Sequence, residues 1–162
     1  MLKILKNAHI YSPENLGKND ILIANDKILA IDTNLDSYAS IAETYDFSGQ
    51  IITPGLIDQH IHIAGAGGTS GFFSMTPEVH LSDLIACGST TVVGLLGTDG
   101  KTRSIRTLYG KVKSLEQEGI SAYMYCGYYG IDSVTITDSI QSDMIFIDKV
   151  LGCKIAISDM RS

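Results

Sequence analysis

Basic residues, cysteines and long apolar runs are what this sequence has little of. Twelve lysines and arginines stand against eighteen acids, a formal net charge of −6. That balance disfavours phosphate backbones and anionic bilayer surfaces, so neither nucleic acid nor membrane is expected as a partner. The three cysteines, Cys87, Cys126 and Cys153, are odd in number, widely spaced and without a CxxC pair. They argue against a disulfide framework or a structural zinc knuckle and are expected in the core. No segment has the apolar length to span a bilayer, and the opening "MLKILKNAHIYSPEN" lacks the apolar stretch of a signal peptide. The expected location is cytoplasmic. What is present is 162 residues with 44% hydrophobic and 19% charged content, the make-up of a soluble globular chain able to bury a sizeable core.

The chain changes character near Pro54. Before it, "KILKNAHIY", "DILIAND", "KILAID" and "ETYDFSGQII" read as short strands joined by turns, one at Asn25-Asp26, with weak helix signals. After it, apolar runs rich in isoleucine and valine alternate with helical segments. "LIDQHIHI" is followed by a glycine-rich loop and by "TPEVHLSDLIACG", where Thr76 is expected to cap a helix, Pro77 to sit in its first turn and Gly88 to end it. "TTVVGLL" precedes a helix from about Ser104 to Glu118 that stops at Gly119. "ISAYMYC", a helix in "TDSIQSDMIFIDKVLG" and the strand "CKIAIS" complete the series. Four such strands separated by helices predict a parallel α/β sheet. An open doubly wound sheet and the first half of an eight-stranded (β/α)8 barrel both fit, and length alone favours the open sheet because such barrels run to ~250 residues.

His60 and His62 carry the chemistry most plainly. Residues two apart on a strand face the same side, about 6.5 to 7 Å apart, so the two imidazoles can converge on one ion. Leu56 and Asp58 share that side, while Ile57, Ile61 and Ile63 face the other and suit contact with covering helices, with Gln59 breaking the pattern. A metal site and a packed, hydrogen-bonded pair are both consistent with the pattern.

"PGLIDQHIH" resembles the first-strand signature of the amidohydrolase superfamily. With "GQIITPGLIDQHIH", "TPEV", "VVGLLGTD", "GISAYM" and "AISDMRS" in this order and spacing, nearly the whole chain resembles the isoaspartyl dipeptidases. The resemblance implies residues 1–53 as part of a small N-terminal β-sandwich and 54–162 as the first four β/α units of a metal-dependent amidohydrolase TIM barrel. It implies His60 and His62 as metal ligands, with Lys154 carboxylated so that its carbamate bridges two zinc ions. Gly67, Gly68, Thr69 and Thr98 would contact substrate, Tyr129 would also hydrogen-bond the scissile carbonyl as a catalytic residue, and Arg161 would receive a substrate carboxylate.

The expected reaction is zinc-dependent hydrolysis of small β-aspartyl dipeptides, with a homo-oligomer as the complete enzyme. Two departures stand out. Thr69 occupies the place where the family has a glutamate for the substrate's amino group. The family's later metal histidines and general-base aspartate have no counterpart in the chain, so on its own it is expected to be incomplete and inactive, with a C-terminal barrel half as a possible partner. A cyclic-amide amidohydrolase of dihydroorotase or hydantoinase type, and a non-catalytic half-barrel interaction protein, are the rival readings.

Overall fold

Alternating apolar and polar residues give the first unit its strands. The computed structural model describes residues 1–158 and divides into two units, Met1–Pro54 and Gly55 onward. In the first, β1 (Leu2–Tyr11) pairs antiparallel with β2 (Asn15–Ala24), which pairs antiparallel with β3 (Lys27–Asp32). Asn25, at φ 54°, makes the β2–β3 turn in the left-handed conformation that asparagine tolerates. On the other edge of β1 lie β4 (Glu43–Asp46) and β5 (Ile51–Ile52), both parallel to it. Ile4, Ala8, Ile10, Ile21 and Leu22 are buried in this unit. A bulge between Leu5 and Ala8 breaks the ladder, and the buried Asp20 carboxylate takes up the freed backbone, accepting from Asn7 N at 2.9 Å and Leu35 N at 3.1 Å.

The second unit is built on a parallel sheet of β6 (Leu56–Ile61), β7 (Ser89–Gly94), β8 (Ser121–Gly127) and β9 (Val150–Lys154). Their order in space is their order in sequence. A doubly wound sheet reverses order at a switch point and this one does not, so the winding is that of a barrel, against the open sheet that length favours.

Helix α2 (Ile105–Glu118) begins where Ser104 Oγ accepts from Thr107 N at 3.0 Å and ends at Gly119, φ 109°, as its sequence signals predict. Its Leu108, Val112 and Leu115 are fully buried in the cluster that holds Val92, Ala122 and Met124 of the sheet. Each leucine so buried contributes about 1.5–3 kcal/mol relative to exposure. Helix α3 (Ile140–Phe146) starts at Ser139, whose Oγ accepts from Ser142 N, and carries the buried Asp143. That carboxylate accepts from Ile136 N at 2.9 Å, Thr137 N at 2.7 Å and Thr137 Oγ1 at 2.6 Å, tying down the segment after β8.

Three local expectations are corrected. Helix α1 (Leu81–Ala86) starts after His80, whose N–H donates to Asp83 Oδ2 at 3.2 Å, and Thr76 lies outside it. The hydroxyl of Thr76 instead accepts from Ala66 N at 2.9 Å and its carbonyl accepts from Arg103, so this residue is pinned to neighbouring loops. Ile61 and Ile63 reach the core but Ile57 is exposed, because β6 is an edge of the sheet and α1 packs against β7. Of the cysteines Cys126 is buried and Cys153 half-buried, whereas Cys87, capping the short α1, is exposed. No helix among the described residues is long and apolar enough to cross a membrane.

Candidate metal and substrate site

The four parallel strands deliver polar side chains to their C-terminal ends. His60 is on β6 and His62 just beyond it, Thr98 follows β7, Tyr129 follows β8, and Lys154 is the last residue of β9. All five line one cavity of about 160 Å³, together with Gly67 and Thr69. Gly68 lies on the wall of an adjoining cavity. Arg161 falls outside the described residues.

The two imidazoles meet edge to face, their centroids 5.9 Å apart. Nδ1 of His62 lies 3.1 Å from the Leu95 carbonyl oxygen, which can only accept, so in the neutral imidazole Nδ1 carries the proton and Nε2 keeps its lone pair. A Cβ at Gly97 would stand 2.8 Å from Cε1 of His62, so the ring occupies space that glycine alone leaves open. Beside His60, the Asp58 carboxylate accepts the His60 backbone N–H at 3.0 Å within an irregular stretch of β6. The Lys154 ammonium lies 5.6 Å from the centroid of Tyr129. Thr69 and Thr98 share a hydroxyl–hydroxyl hydrogen bond of 3.2 Å, and the Thr98 hydroxyl reaches the Gly67 carbonyl at 3.5 Å.

The donors suit a divalent metal in part. Two imidazoles within one small cavity, one with its tautomer fixed by a backbone carbonyl, are proper ligands. An ammonium is not a ligand, and Lys154 becomes one only by losing its charge. Among the described residues no group of three His, Cys, Asp or Glu side chains is placed to hold a metal, so the cavity offers two imidazoles and a lysine.

Sequence reasoning missed the element that holds these loops together. Arg103 Nε donates to Asp99 Oδ2 at 2.5 Å, Nη1 to the Ala64 carbonyl at 2.6 Å and Nη2 to the Thr76 carbonyl at 2.7 Å. One guanidinium thereby joins the loop that carries Gly67–Thr69 to the loop that carries Thr98. The four-residue spacing of Asp99 and Arg103 was the available signal, but the two carbonyl partners lie 39 and 27 residues away.

Comparison with known proteins accounts for the arrangement. No family model matches the chain. Two solved structures of the beta-aspartyl dipeptidase of Fervidobacterium islandicum AW-1 superpose over all of it with TM-scores of 0.94 and 0.93, at 48% and 49% identity, the second in complex with beta-Asp-Leu. The chain belongs to the amidohydrolase superfamily and is similar over its whole length to beta-aspartyl dipeptidase. A curated dihydroorotase of Lactobacillus leichmannii is 30% identical over 145 residues, 90% of the chain. A D-hydantoinase at 24% identity and TM-score 0.57, over 89% of the chain, shares the fold. This amidohydrolase chain spans 45% of the first dipeptidase, 31% of the dihydroorotase and 30% of the hydantoinase. Its parallel sheet is thus the first half of a TIM barrel.

Proposed function

We propose that this chain supplies the first metal ligands and part of the substrate contacts of a zinc-dependent hydrolase that cleaves β-aspartyl dipeptides. The observation that carries the reading is the convergence of His60, His62, Tyr129 and Lys154 on one cavity at the C-terminal ends of the strands, in a chain 48% identical over its whole length to a beta-aspartyl dipeptidase.

His60 and His62 would hold the metal, with Nε2 of His62 available because its Nδ1–H is spent on Leu95. A divalent ion such as zinc, when bound there, polarises a carbonyl and lowers the pKa of a bound water. Lys154 would join through its carbamate: the neutral amine attacks carbon dioxide, a nitrogen–carbon bond forms, a proton leaves, and an anion replaces a cation beside the imidazoles. The Tyr129 hydroxyl donates to the scissile carbonyl oxygen as negative charge grows on it, an interaction stronger in the transition state than in the ground state. Gly67 and Gly68 let the backbone approach the substrate closely, and the Thr69 and Thr98 hydroxyls orient its polar groups. Arg161 is assigned the substrate carboxylate, a task suited to its forked donors. The metal ligands and general base that would complete the site belong to the part of the relatives that this chain does not span. In this reading the protein works in the cytoplasm as a homo-oligomer.

The curated dihydroorotase similarity favours a second reading, ring opening of a cyclic amide. One assay separates the two: leucine release from β-aspartyl-leucine against ring opening of dihydroorotate and hydantoin. It is run on the chain alone and on the chain joined to the remaining barrel strands of the Fervidobacterium enzyme. Leucine release is expected from the joined protein only. Ring opening without leucine release would replace the first reading with the second.

A further inference from the structure

Next to the histidine cavity, and sharing Gly67, Thr69, Thr98 and Tyr129 with it, lies a larger cavity of about 470 Å³. One part of its lining is apolar: Phe72, Met75 and Ile131. Phe72 and Ile131 are 79% and 73% exposed, and apolar groups left open beside a polar site mark a surface that something covers. Lys101 and Asp132 add one charge of each sign to the lining. The cavity's other carboxylate, Asp99, is buried and committed to Arg103.

Lys101 is held in place. Its ammonium lies 5.2 Å from the centroid of Tyr128. That ring occupies space that two glycines leave open, since a Cβ at Gly100 would stand 2.3 Å from its Cδ2 and a Cβ at Gly130 2.2 Å from its hydroxyl. Tyr128 first, and Asp132 after it, raise the Lys101 pKa, so its charge persists across the neutral range. An ammonium has three donors to offer a ligand. An apolar wall with a fixed cation is the chemistry that recognises an amino-acid residue bearing an apolar side chain and a free carboxylate.

We propose that this cavity receives the leaving residue of the dipeptide, its side chain against Phe72, Met75 and Ile131 and its terminal carboxylate on Lys101. Lys101 is then a specificity-determining residue that selects free dipeptides over amidated or longer chains. The assignment of the leaving residue rests on the hydrolase reading of the adjoining site. The binding chemistry is separable from it, because it concerns only the half of the substrate that carries no scissile bond.

The test is therefore a binding measurement on the 162-residue chain, without turnover. N-acetyl-leucine, which keeps the acylated nitrogen, side chain and carboxylate of a leaving leucine, is titrated against N-acetyl-leucinamide and N-acetylglycine by calorimetry. Wild type is expected to bind N-acetyl-leucine roughly tenfold tighter than either comparison ligand, the scale of one charge-assisted contact or one buried apolar side chain. Lys101→Ala is expected to abolish the preference for the acid over the amide while keeping that for leucine over glycine, and Lys101→Arg to restore the former. Lys101 is exposed, so circular dichroism should show both variants folded. Equal binding of acid and amide by wild type, an unchanged preference in Lys101→Ala, or no binding of any of the three ligands overturns the proposal. Failure to cleave β-aspartyl-leucine would leave these readouts unaffected and count against the hydrolase reading alone.

Discussion

Replacing Arg103 with alanine removes three hydrogen bonds at once, one of them a buried ion pair with Asp99. The Asp99 side chain is 1% exposed and that of Arg103 18%. In the variant the carboxylate keeps one backbone donor, Gly97 N at 3.2 Å, and among the described residues no other ion-pair partner. Deleting one partner of a buried pair costs about 3–5 kcal/mol, because the remaining charge stays desolvated. The carbonyls of Ala64 and Thr76 can recruit water and add about half a kcal/mol each, the low end of an ordinary hydrogen bond's net worth. The expected loss is therefore about 4–6 kcal/mol. Urea unfolding followed by far-ultraviolet circular dichroism suits the test, since all three α-helices among the described residues lie in the second unit. At a slope of about 1–3 kcal/mol per molar, even the lower figure should bring the midpoint down by roughly 1.3–4 M. Asp99→Asn removes the charge from the other side, so the double variant should lose about 1.5–3 kcal/mol less than the sum of the singles. A loss below about 1 kcal/mol in Arg103→Ala, or strict additivity in the cycle, would refute the clamp.

His60→Ala and His62→Ala should each abolish high-affinity zinc binding in the barrel-completed protein, as metal analysis would show; full occupancy in either variant would return the pair to a packed role. Lys154 should gain the mass of one carbon dioxide only when metal and the completing barrel strands are both present, because a lone carbamate is an uncompensated charge; a carbamate carbon-13 signal from the isolated chain would contradict this dependence. Burial first, and then Cys153, push the Cys126 thiol up from 9.0 to about 12. The folded state thus holds its proton more tightly than the unfolded state, and this contribution to stability is present below pH 9 and lost as pH rises toward 12. In alkylation at pH 8 the exposed Cys87 should react first and Cys126 last, and mass-mapped labelling in the reverse order would contradict the burial argument.

The periodic parts of the fold were legible from the residues. Alternation of strand and helix after Pro54, the Ser104 and Gly119 boundaries of α2, and the convergence of His60 with His62 all follow from local pattern, and local pattern is what a linear reading holds. The site residues that could be named beyond the histidines rested on resemblance, and the cavity now gathers Gly67, Thr69, Thr98, Tyr129 and Lys154 from four separate stretches of chain. The errors share a cause. Thr76 has the chemistry of a cap but its backbone is claimed by Arg103 and Ala66, and Ile57 has the side chain of a core residue but stands on an edge strand. Neither competitor is near in sequence. Lys101 and Phe72 carry no motif and acquire meaning only from the cavity they line.

His60 and Lys154 sit on β6 and β9, which among the described residues have a neighbouring strand on one side only. An unpaired strand edge keeps part of its backbone freedom, so a ligand mounted there brings the entropy of its strand into the binding equilibrium. Anything that pairs with β6 or β9 removes part of that entropy beforehand and would tighten, by the corresponding factor, the binding of a metal held there. Thermodynamic reciprocity then requires the metal to tighten that pairing by the same factor. Were a metal held there, its affinity and the pairing of β6 or β9 would be two readings of one coupling free energy, and titrating either would report the other.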